Sequence, residues 1–205
     1  MTESETRAGY DAVAVLYADL FRDAMDDQHL ERGLIAAFAE LVRGPLPVAD
    51  LGCGPGRVTP LLASLGLSVF GVDLSPGMIA QAREEHPELR FEVGSMASLD
   101  IPDASLGGAL VWFSTIHTAP DDLPLIFAEF HRVLAPGGHL LTAFQTREGD
   151  APEAFDHKVT LAYRWPIEAL SVLLREAGLV ELARVRREPL PEERLPTGYL
   201  LLRKP

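Results

Sequence analysis

The chain has 205 residues, of which 47% are apolar and 23% charged, and its formal net charge is −12. This length and this balance predict one soluble globular domain with a sizeable core. The negative charge argues against a nucleic-acid partner, because phosphate binding requires clustered lysine and arginine. It suits a cationic ligand, or it simply keeps the protein in solution.

The single cysteine, Cys53, excludes an intrachain disulfide and a cysteine-based metal site, and no metal is expected. The first residues, MTESETRAGYD, are polar and acidic, so no signal peptide is expected. No uninterrupted apolar run approaches the ~20 residues that a membrane span requires. We therefore expect a cytoplasmic protein without membrane contact, either a monomer or a homodimer.

Two helices are expected in residues 9–43, because apolar residues recur there every three or four positions. Asp26 and Asp27 mark the predicted break between them. The sequence GPLP at 44–47 ends this region, since neither proline continues a helix.

From Val48 onward, short apolar runs alternate with helical segments, which predicts a parallel sheet with helices on both faces. Strands are expected at 48–51, 68–73, 90–93, 108–113 and 137–144, and helices at 57–65, 76–85, 121–134 and 167–177. The last apolar runs, 179–185 and 199–202, are separated by a loop without a helical pattern, so an antiparallel pair is expected. The predicted fold is α/β: a Rossmann-like, doubly wound, mostly parallel seven-stranded sheet with an antiparallel last strand.

A glycine-rich segment, VADLGCGPGR at 48–57, joins the first strand to its helix, with Gly52, Gly54 and Gly56 at alternate positions. Ligands bind at the carboxyl ends of parallel strands, and glycines there let a ligand approach the backbone. The spacing is GxGxG rather than the dinucleotide pattern GxGxxG, and Arg57 stands where close packing requires Gly or Ala. A nucleotide-dependent oxidoreductase is therefore the weaker alternative.

An acid at the end of the second strand, Asp73, follows the glycine loop by one helix. Such an acid can accept hydrogen bonds from both ribose hydroxyls of an adenosine. Its alternative role is a favourable charge before the helix that Ser75 and Pro76 open. Beside the glycine loop, the ribose interpretation is favoured.

Several segments in chain order resemble the successive motifs of class I S-adenosylmethionine (SAM)-dependent methyltransferases: VADLGCGPGR, VFGVDLSPGMIAQAR, FEVGSMASLDIP, ALVWFSTIH and RVLAPGGHLL. The segment YDAVAVLY resembles one that often precedes that core. The resemblance covers residues 10–144 and implies a methyltransferase that uses SAM as co-substrate. A non-catalytic protein that binds SAM or S-adenosylhomocysteine is the alternative.

The resemblance implies a cofactor-binding set: Tyr17, Asp50, Gly52, Cys53, Gly54, Gly56, Arg57, Asp73, Leu74, Met78, Ser95, Met96 and Phe113. The three glycines would pass under the methionine part of SAM, and Asp73 would hold the ribose. Leu74 and Met78 would contact adenine, and Ser95 and Met96 lie where the family recognises the adenine edge. The family often has an acid at the position of Ser95, so adenine selectivity is less secured in this chain. Cys53 is interpreted as a space-filling residue rather than a nucleophile.

Methyl transfer from a sulfonium mainly requires alignment and exclusion of water, and a protonated acceptor also needs a general base. The candidate catalytic residues are His117 and His157, which both follow carboxyl ends of strands, and Tyr10. The alternative for the two histidines is a capping or loop role. Tyr17 and Tyr10, seven residues apart, are expected on one helix face, with Tyr17 at the amino-acid end of SAM and Tyr10 beside the acceptor.

The nucleic-acid and protein N-methyltransferase motif Asn/Asp-Pro-Pro-Tyr/Phe does not occur, which favours a small-molecule acceptor. The predicted organisation is a single domain with a helical lid (1–44), a SAM-binding core (45–145), a substrate-side loop (146–165) and a C-terminal helix with closing strands (166–205).

Overall fold

The computed structural model describes residues 2–20, 25, 27–191 and 193–205. Helix α1 spans Glu3–Leu20 and α2 spans His29–Leu41. The predicted break at Asp26 lies outside the described residues, whereas Asp27 lies in the turn before α2.

Helix α1 begins six residues earlier than predicted because Thr2 and Glu5 form a capping box. The Glu5 carboxylate accepts from the Thr2 amide (2.8 Å), and the Thr2 hydroxyl accepts from the Glu5 amide (3.4 Å). These two bonds satisfy donors that the first helical turn would otherwise leave without a partner.

Beyond α2, strands and helices alternate as the sequence predicts. The strands are β1 (Val48–Leu51), β2 (Val69–Asp73), β3 (Arg90–Val93), β4 (Leu106–Trp112), β5 (Leu134–Gln145), β6 (Glu153–Asp156), β7 (Leu161–Arg164), β8 (Val180–Arg187) and β9 (Thr197–Arg203). The remaining helices are α3 (Thr59–Ser64), α4 (Pro76–Glu85), α5 (Leu123–Val133) and α6 (Ile167–Glu176), and a 3-10 turn at Pro120–Asp122 precedes α5. The predicted helix 121–134 ends at Val133, because Leu134 already pairs with Leu106 in the sheet.

Seven of the described strands form one sheet in the order β3-β2-β1-β4-β5-β9-β8. Strands β1 to β5 pair in parallel, and β9 lies antiparallel between β5 and β8. The predicted mostly parallel fold and the antiparallel pairing of the last two strands are confirmed. The strand order reverses between β1 and β4, so a ligand crevice is expected outside their carboxyl ends.

The sheet buries both of its faces, which explains the nearly continuous apolar runs of its strands. Along β4, Leu110 and Trp112 pack against α2 and α3, whereas Ala109 and Val111 pack in the cluster that contains α5 and α6. This alternation follows the two-residue period of a strand. The predicted helices on both faces are confirmed.

The segment 146–165, predicted as a loop, contains the antiparallel hairpin β6–β7. Glu153 of β6 forms ion pairs with Arg164 (2.5 Å) and Arg147 (3.1 Å). The amide of Tyr163 donates to the Ile116 carbonyl (2.7 Å) and joins the hairpin to the loop after β4. Each of these strands has only four residues and is flanked by charged residues. The alternation of apolar and polar residues is therefore too short to predict a strand from the sequence.

The two N-terminal helices differ in their packing. Helix α2 buries Ile35 and Phe38 completely, and its buried Glu31 accepts from Arg187 (2.6 Å) and from the Tyr199 hydroxyl (2.5 Å). It therefore belongs to the scaffold, whereas α1 makes fewer buried apolar contacts. The lid predicted over residues 1–44 stays a prediction, for which only α1 is the candidate. None of the described helices combines the length and the apolar character needed to cross a membrane.

Candidate functional site

A cavity of about 370 Å³ lies at the carboxyl ends of β1, β2 and β4, beneath α1. Its wall includes Tyr10, Tyr17, Asp50, Gly52, Cys53, Gly54, Arg57, Asp73, Leu74, Met78, Met96, Phe113 and His117. Gly56, Ser95 and His157 lie outside this wall. The cavity thus brings together most of the residues that the sequence places at the site, and its size suits a small-molecule ligand.

The turn after β4 determines the shape of the glycine loop. Phe113 has a left-handed backbone (φ 56°), and the next residue, Ser114, donates its hydroxyl to the Leu51 carbonyl (2.6 Å). A Cβ at Gly52 (φ 74°) would lie 2.1 Å from the Ser114 Cβ, so only glycine fits there. At Gly54, an added Cβ would meet no described atom within 4 Å, and the backbone there is open to a ligand.

Asp73 fastens this loop to the start of α4. Its Oδ2 accepts from the Gly54 amide and its Oδ1 from the Ser75 amide, both at 2.8 Å. Burial raises the pKa of its carboxyl group, and these amides act in the opposite direction. Because each carboxylate oxygen has more than one lone pair, Asp73 can still accept from a ligand in the cavity. The predicted N-cap is confirmed, since Ser75 accepts from the Met78 amide (3.1 Å).

A second carboxylate, Asp50, is almost fully buried in the cavity floor at the end of β1. It accepts from the Thr59 hydroxyl (2.7 Å), and burial raises its pKa to about 7. Cys53 packs against Ile79 and Phe91, and burial raises the pKa of its thiol well above the ordinary value. A protonated, enclosed thiol agrees with a space-filling role.

Tyr10 and His117 meet in a further part of the cavity wall. The Tyr10 hydroxyl lies 2.8 Å from His117 Nε2, and His117 Nδ1 lies 2.8 Å from the Leu161 carbonyl oxygen. A carbonyl can only accept, so Nδ1 carries the proton and Nε2 accepts from the Tyr10 hydroxyl. Burial lowers the pKa of His117 to about 4 and raises that of Tyr10 well above its ordinary value. Both side chains are therefore neutral at pH 7.

His157 stands behind this pair rather than in the cavity wall. Its ring centroid is 5.0 Å from that of His117, in an edge arrangement, and its Nδ1 accepts from the Val159 amide (3.3 Å). Burial lowers the pKa of His157, so a neutral imidazole is favoured there too. His157 therefore packs against His117 and does not line the cavity in which a ligand would bind.

Tyr17 follows Tyr10 by about two turns of α1. The two rings are 5.8 Å apart edge to face, which confirms that they share a helix face. The Arg57 guanidinium lies 5.6 Å from the centre of the Tyr17 ring, a cation–π distance. The glycine loop and α1 therefore meet above the part of the cavity whose floor contains Asp50.

Two acidic residues of α1 were not predicted to take part in the site. Asp11 accepts from the Ser75 hydroxyl (2.6 Å) and the Gly77 amide (2.9 Å), so α1 caps the N-terminus of α4. Glu3 lines the cavity and accepts a hydrogen bond from the Ser95 hydroxyl. Both contacts join residues far apart in sequence, and no local signal predicts them. Within the described ranges, no cluster of three or more His, Cys, Asp or Glu side chains could hold a metal ion.

The strand order, the glycine loop after β1 and the acid at the end of β2 define a Rossmann-like domain that binds a nucleoside-containing ligand. Residues 48–138 match a family model described as a methyltransferase domain. The chain belongs to the class I SAM-dependent methyltransferases.

Named relatives support this assignment. The chain is 34% identical over 164 residues to a trans-aconitate 2-methyltransferase of Delftia acidovorans, a match that covers 74% of this chain and 55% of the relative. It is 33% identical over 117 residues to a malonyl-[acyl-carrier protein] O-methyltransferase of Erwinia billingiae, with 57% and 45% covered. The chain spans about half the length of these curated relatives.

Among solved structures, the chain resembles the Burkholderia thailandensis 1,6-didemethyltoxoflavin-N1-methyltransferase, crystallised with 1,6-didemethyltoxoflavin and S-adenosylhomocysteine. The TM-score is 0.77 at 26% identity, and the match covers 100% of this chain and 91% of the other. The likeness therefore includes α1 and the β6–β7 hairpin as well as the core.

Proposed function

We propose that this protein transfers a methyl group from SAM to a small-molecule acceptor. The observation that carries the proposal is that one cavity brings together two chemically different groups of residues. The glycine loop, Asp50 and Asp73 form the first part of its wall, which we call the cofactor end, and the neutral Tyr10–His117 pair forms the second, which we call the acceptor end. The first suits a charged nucleoside cofactor, and the second suits an uncharged reacting group.

The charge of the wall favours SAM over a dinucleotide. Among its described residues are the carboxylates of Glu3, Asp50, Asp73 and Asp122, against the guanidinium of Arg57. SAM carries a sulfonium and an ammonium group and only one carboxylate, so this wall attracts it. The pyrophosphate of a dinucleotide carries negative charge, which the same wall repels.

Along the cavity, the ammonium group would lie near Asp50, whose pKa is raised by burial and by the neighbouring Asp73. The open backbone at Gly54 would pass under the methionine part, with Arg57 and Tyr17 above it. Asp73 would accept from the ribose hydroxyls. These roles match those that the sequence resemblance implies.

The acceptor end favours a nucleophile that carries an N–H or O–H group. The Tyr10 hydroxyl donates to His117, so its oxygen is left to accept a hydrogen bond from the acceptor. With a pKa of about 4, His117 is too weak a base to remove that proton before reaction. A heteroatom becomes strongly acidic as it is alkylated, however, and its proton can then pass through Tyr10 to Nε2 of His117.

Around this pair the wall includes Trp112, Phe113, Leu125 and Ile126. Such a lining suits a small, largely apolar or aromatic acceptor and excludes water from the reacting methyl group. The N1-methylation named for the Burkholderia relative is chemistry of this kind. We therefore favour an N–H or O–H acceptor over a free carboxylate.

Titration calorimetry with SAM, S-adenosylhomocysteine and NAD tests the cofactor. We expect the first two to bind and NAD not to bind, and we expect Asp73→Ala to weaken S-adenosylhomocysteine at least tenfold, because charge-assisted bonds are lost. Tighter binding of NAD than of either sulfur compound would contradict the proposal. An Asp73→Ala variant with parental affinity would return Asp73 to a purely structural role.

Incubation with methyl-labelled SAM and a metabolite extract, followed by product analysis, tests the transfer. Parent protein should label a small molecule, and Tyr10→Phe should slow the labelling while binding of S-adenosylhomocysteine is retained. Binding without labelled product across acceptors of every class would favour the alternative of a SAM-binding protein without catalysis.

A further inference from the structure

We propose that Glu3, in the first turn of α1, selects the adenine base of the cofactor by accepting a hydrogen bond from its 6-amino group. The inference rests on the proposed use of SAM. It assigns base recognition to the helix that covers the site rather than to the loop after β3.

The position of Asp73 fixes where the base must lie. If this carboxylate holds the ribose and the glycine loop holds the methionine part, the base extends from Asp73 to the far side. The cavity wall there is formed by Leu74, Met78 and Met96, which offer apolar contact to the faces of a flat ring. The Gly94 amide donates to the Asp73 carbonyl (2.9 Å), so the loop after β3 borders the same end.

The proton of the Ser95 hydroxyl is already used within the protein, and Ser95 lies outside the cavity wall. Its hydroxyl donates to Glu3, and its oxygen accepts from the Ala97 amide (3.0 Å). A hydroxyl has one proton to donate, and in Ser95 this proton holds the Glu3 carboxylate in place. In this proposal Ser95 acts indirectly through Glu3, whereas the sequence resemblance implies a direct contact with the adenine edge.

Glu3, unlike Ser95, lines the cavity. One of its oxygens accepts from Ser95, and the remaining lone pairs of the carboxylate are left for a donor in the cavity that Glu3 lines. The capping box of Thr2 and Glu5 fixes the start of α1, and the bonds from Ser75 and Gly77 to Asp11 fix the helix on α4. The Glu3 carboxylate is thus held in place both by Ser95 and by the fixed helix that carries it.

A carboxylate at this point discriminates between bases by the direction of the hydrogen bond, because it can only accept. The 6-amino group of adenine donates, whereas the 6-oxo group of hypoxanthine accepts and would face the carboxylate without a proton between them. A group that leaves a polar partner unsatisfied is rejected more strongly than one that only lacks a contact. We expect a preference for adenine of about tenfold or more.

The test compares S-adenosylhomocysteine with S-inosylhomocysteine, which differs only in that base, by calorimetry on parent protein, Glu3→Gln and Glu5→Gln. The parent should prefer the adenine compound, and Glu3→Gln should lose most of that preference, because an amide can donate as well as accept. Glu5→Gln should keep it, since glutamine also completes a capping box and Glu5 lies outside the cavity wall.

Three results would overturn the inference: a parent that binds both compounds equally, a Glu3→Gln variant with the full preference, or an equal loss in Glu5→Gln. The last would attribute the effect to the helix start rather than to Glu3. A parent that binds neither compound would instead refute the proposed function. The ratio of affinities isolates Glu3, because a general loosening of α1 weakens both compounds alike.

Discussion

Replacing His117 by glutamine is expected to remove part of the pH dependence of the protein's stability. Burial lowers the pKa of His117 from 6.5 to about 4 in the folded chain, whereas the unfolded chain takes up the proton near pH 6.5. Between these values the unfolded state binds more protons, so the free energy of unfolding falls as the pH drops through this range. Above pH 6.5 the stability is fully retained.

The difference between the two pKa values corresponds to roughly 3 kcal/mol, of which roughly 2 kcal/mol is lost between pH 7.5 and pH 5. Urea unfolding at pH 7.5, 6 and 5 measures this loss in parent protein, His117→Gln and His29→Gln. The His117 variant should be less stable than the parent at pH 7.5, because its bonds to Tyr10 and Leu161 are weakened. From pH 7.5 to pH 5, however, it should lose about 2 kcal/mol less than the parent.

His29, an exposed residue at the start of α2, provides the control, and its variant should follow the parent at each pH. An unchanged pH dependence in His117→Gln would show that His117 is not a buried neutral imidazole. The proton path from Tyr10 to Nε2 would then have to be abandoned, because a protonated imidazole cannot accept from the phenol.

Two further substitutions test the attachment of α1 and the packing of the glycine loop. Asp11→Ala removes both bonds to the start of α4, worth roughly 1–2 kcal/mol of helix docking, so amide hydrogen exchange in 3–20 should accelerate on the order of tenfold. Asp11→Asn, whose side-chain oxygen can still accept both bonds, should change it much less. Gly52→Ala places a Cβ 2.1 Å from the Ser114 Cβ and should lower the free energy of unfolding by several kcal/mol in urea titrations; Gly54→Ala should cost only about 1 kcal/mol, and equal costs would contradict the packing.

The sheet could be predicted from the sequence because its strands carry local signals. Their apolar runs reflect burial on both faces, and Gly or Pro residues separate them from the helices. Ser75 and Pro76 at the start of α4 supply a cap and a pre-set backbone angle, both of which are readable in two adjacent residues.

The features that could not be predicted from the sequence depend on contacts between residues that are far apart in the chain. Hairpin β6–β7 is stabilised by the ion pair of Glu153 with Arg164 and by the bond from Tyr163 to Ile116, none of which leaves a periodic pattern. The same holds for Asp11, which caps a helix 64 residues further along the chain. Residue types predicted the cofactor end, because loop chemistry is local. The sequence also named Tyr10 and His117 as candidates, but their hydrogen bond joins residues 107 apart and has no local signal.

We propose that α1 is the movable part of the site, because of the way in which it is attached. Among its described side chains, Ala14 and Ala18 are buried, and these remove little apolar surface from water. It is fastened instead by polar contacts of Glu3, Tyr10 and Asp11, each worth only about 1 kcal/mol net. Opening α1 therefore costs much less than unfolding the sheet. Glu3 and Tyr10 both border the cavity, so cofactor and acceptor together would hold the helix closed over the methyl group, and loss of either would release it.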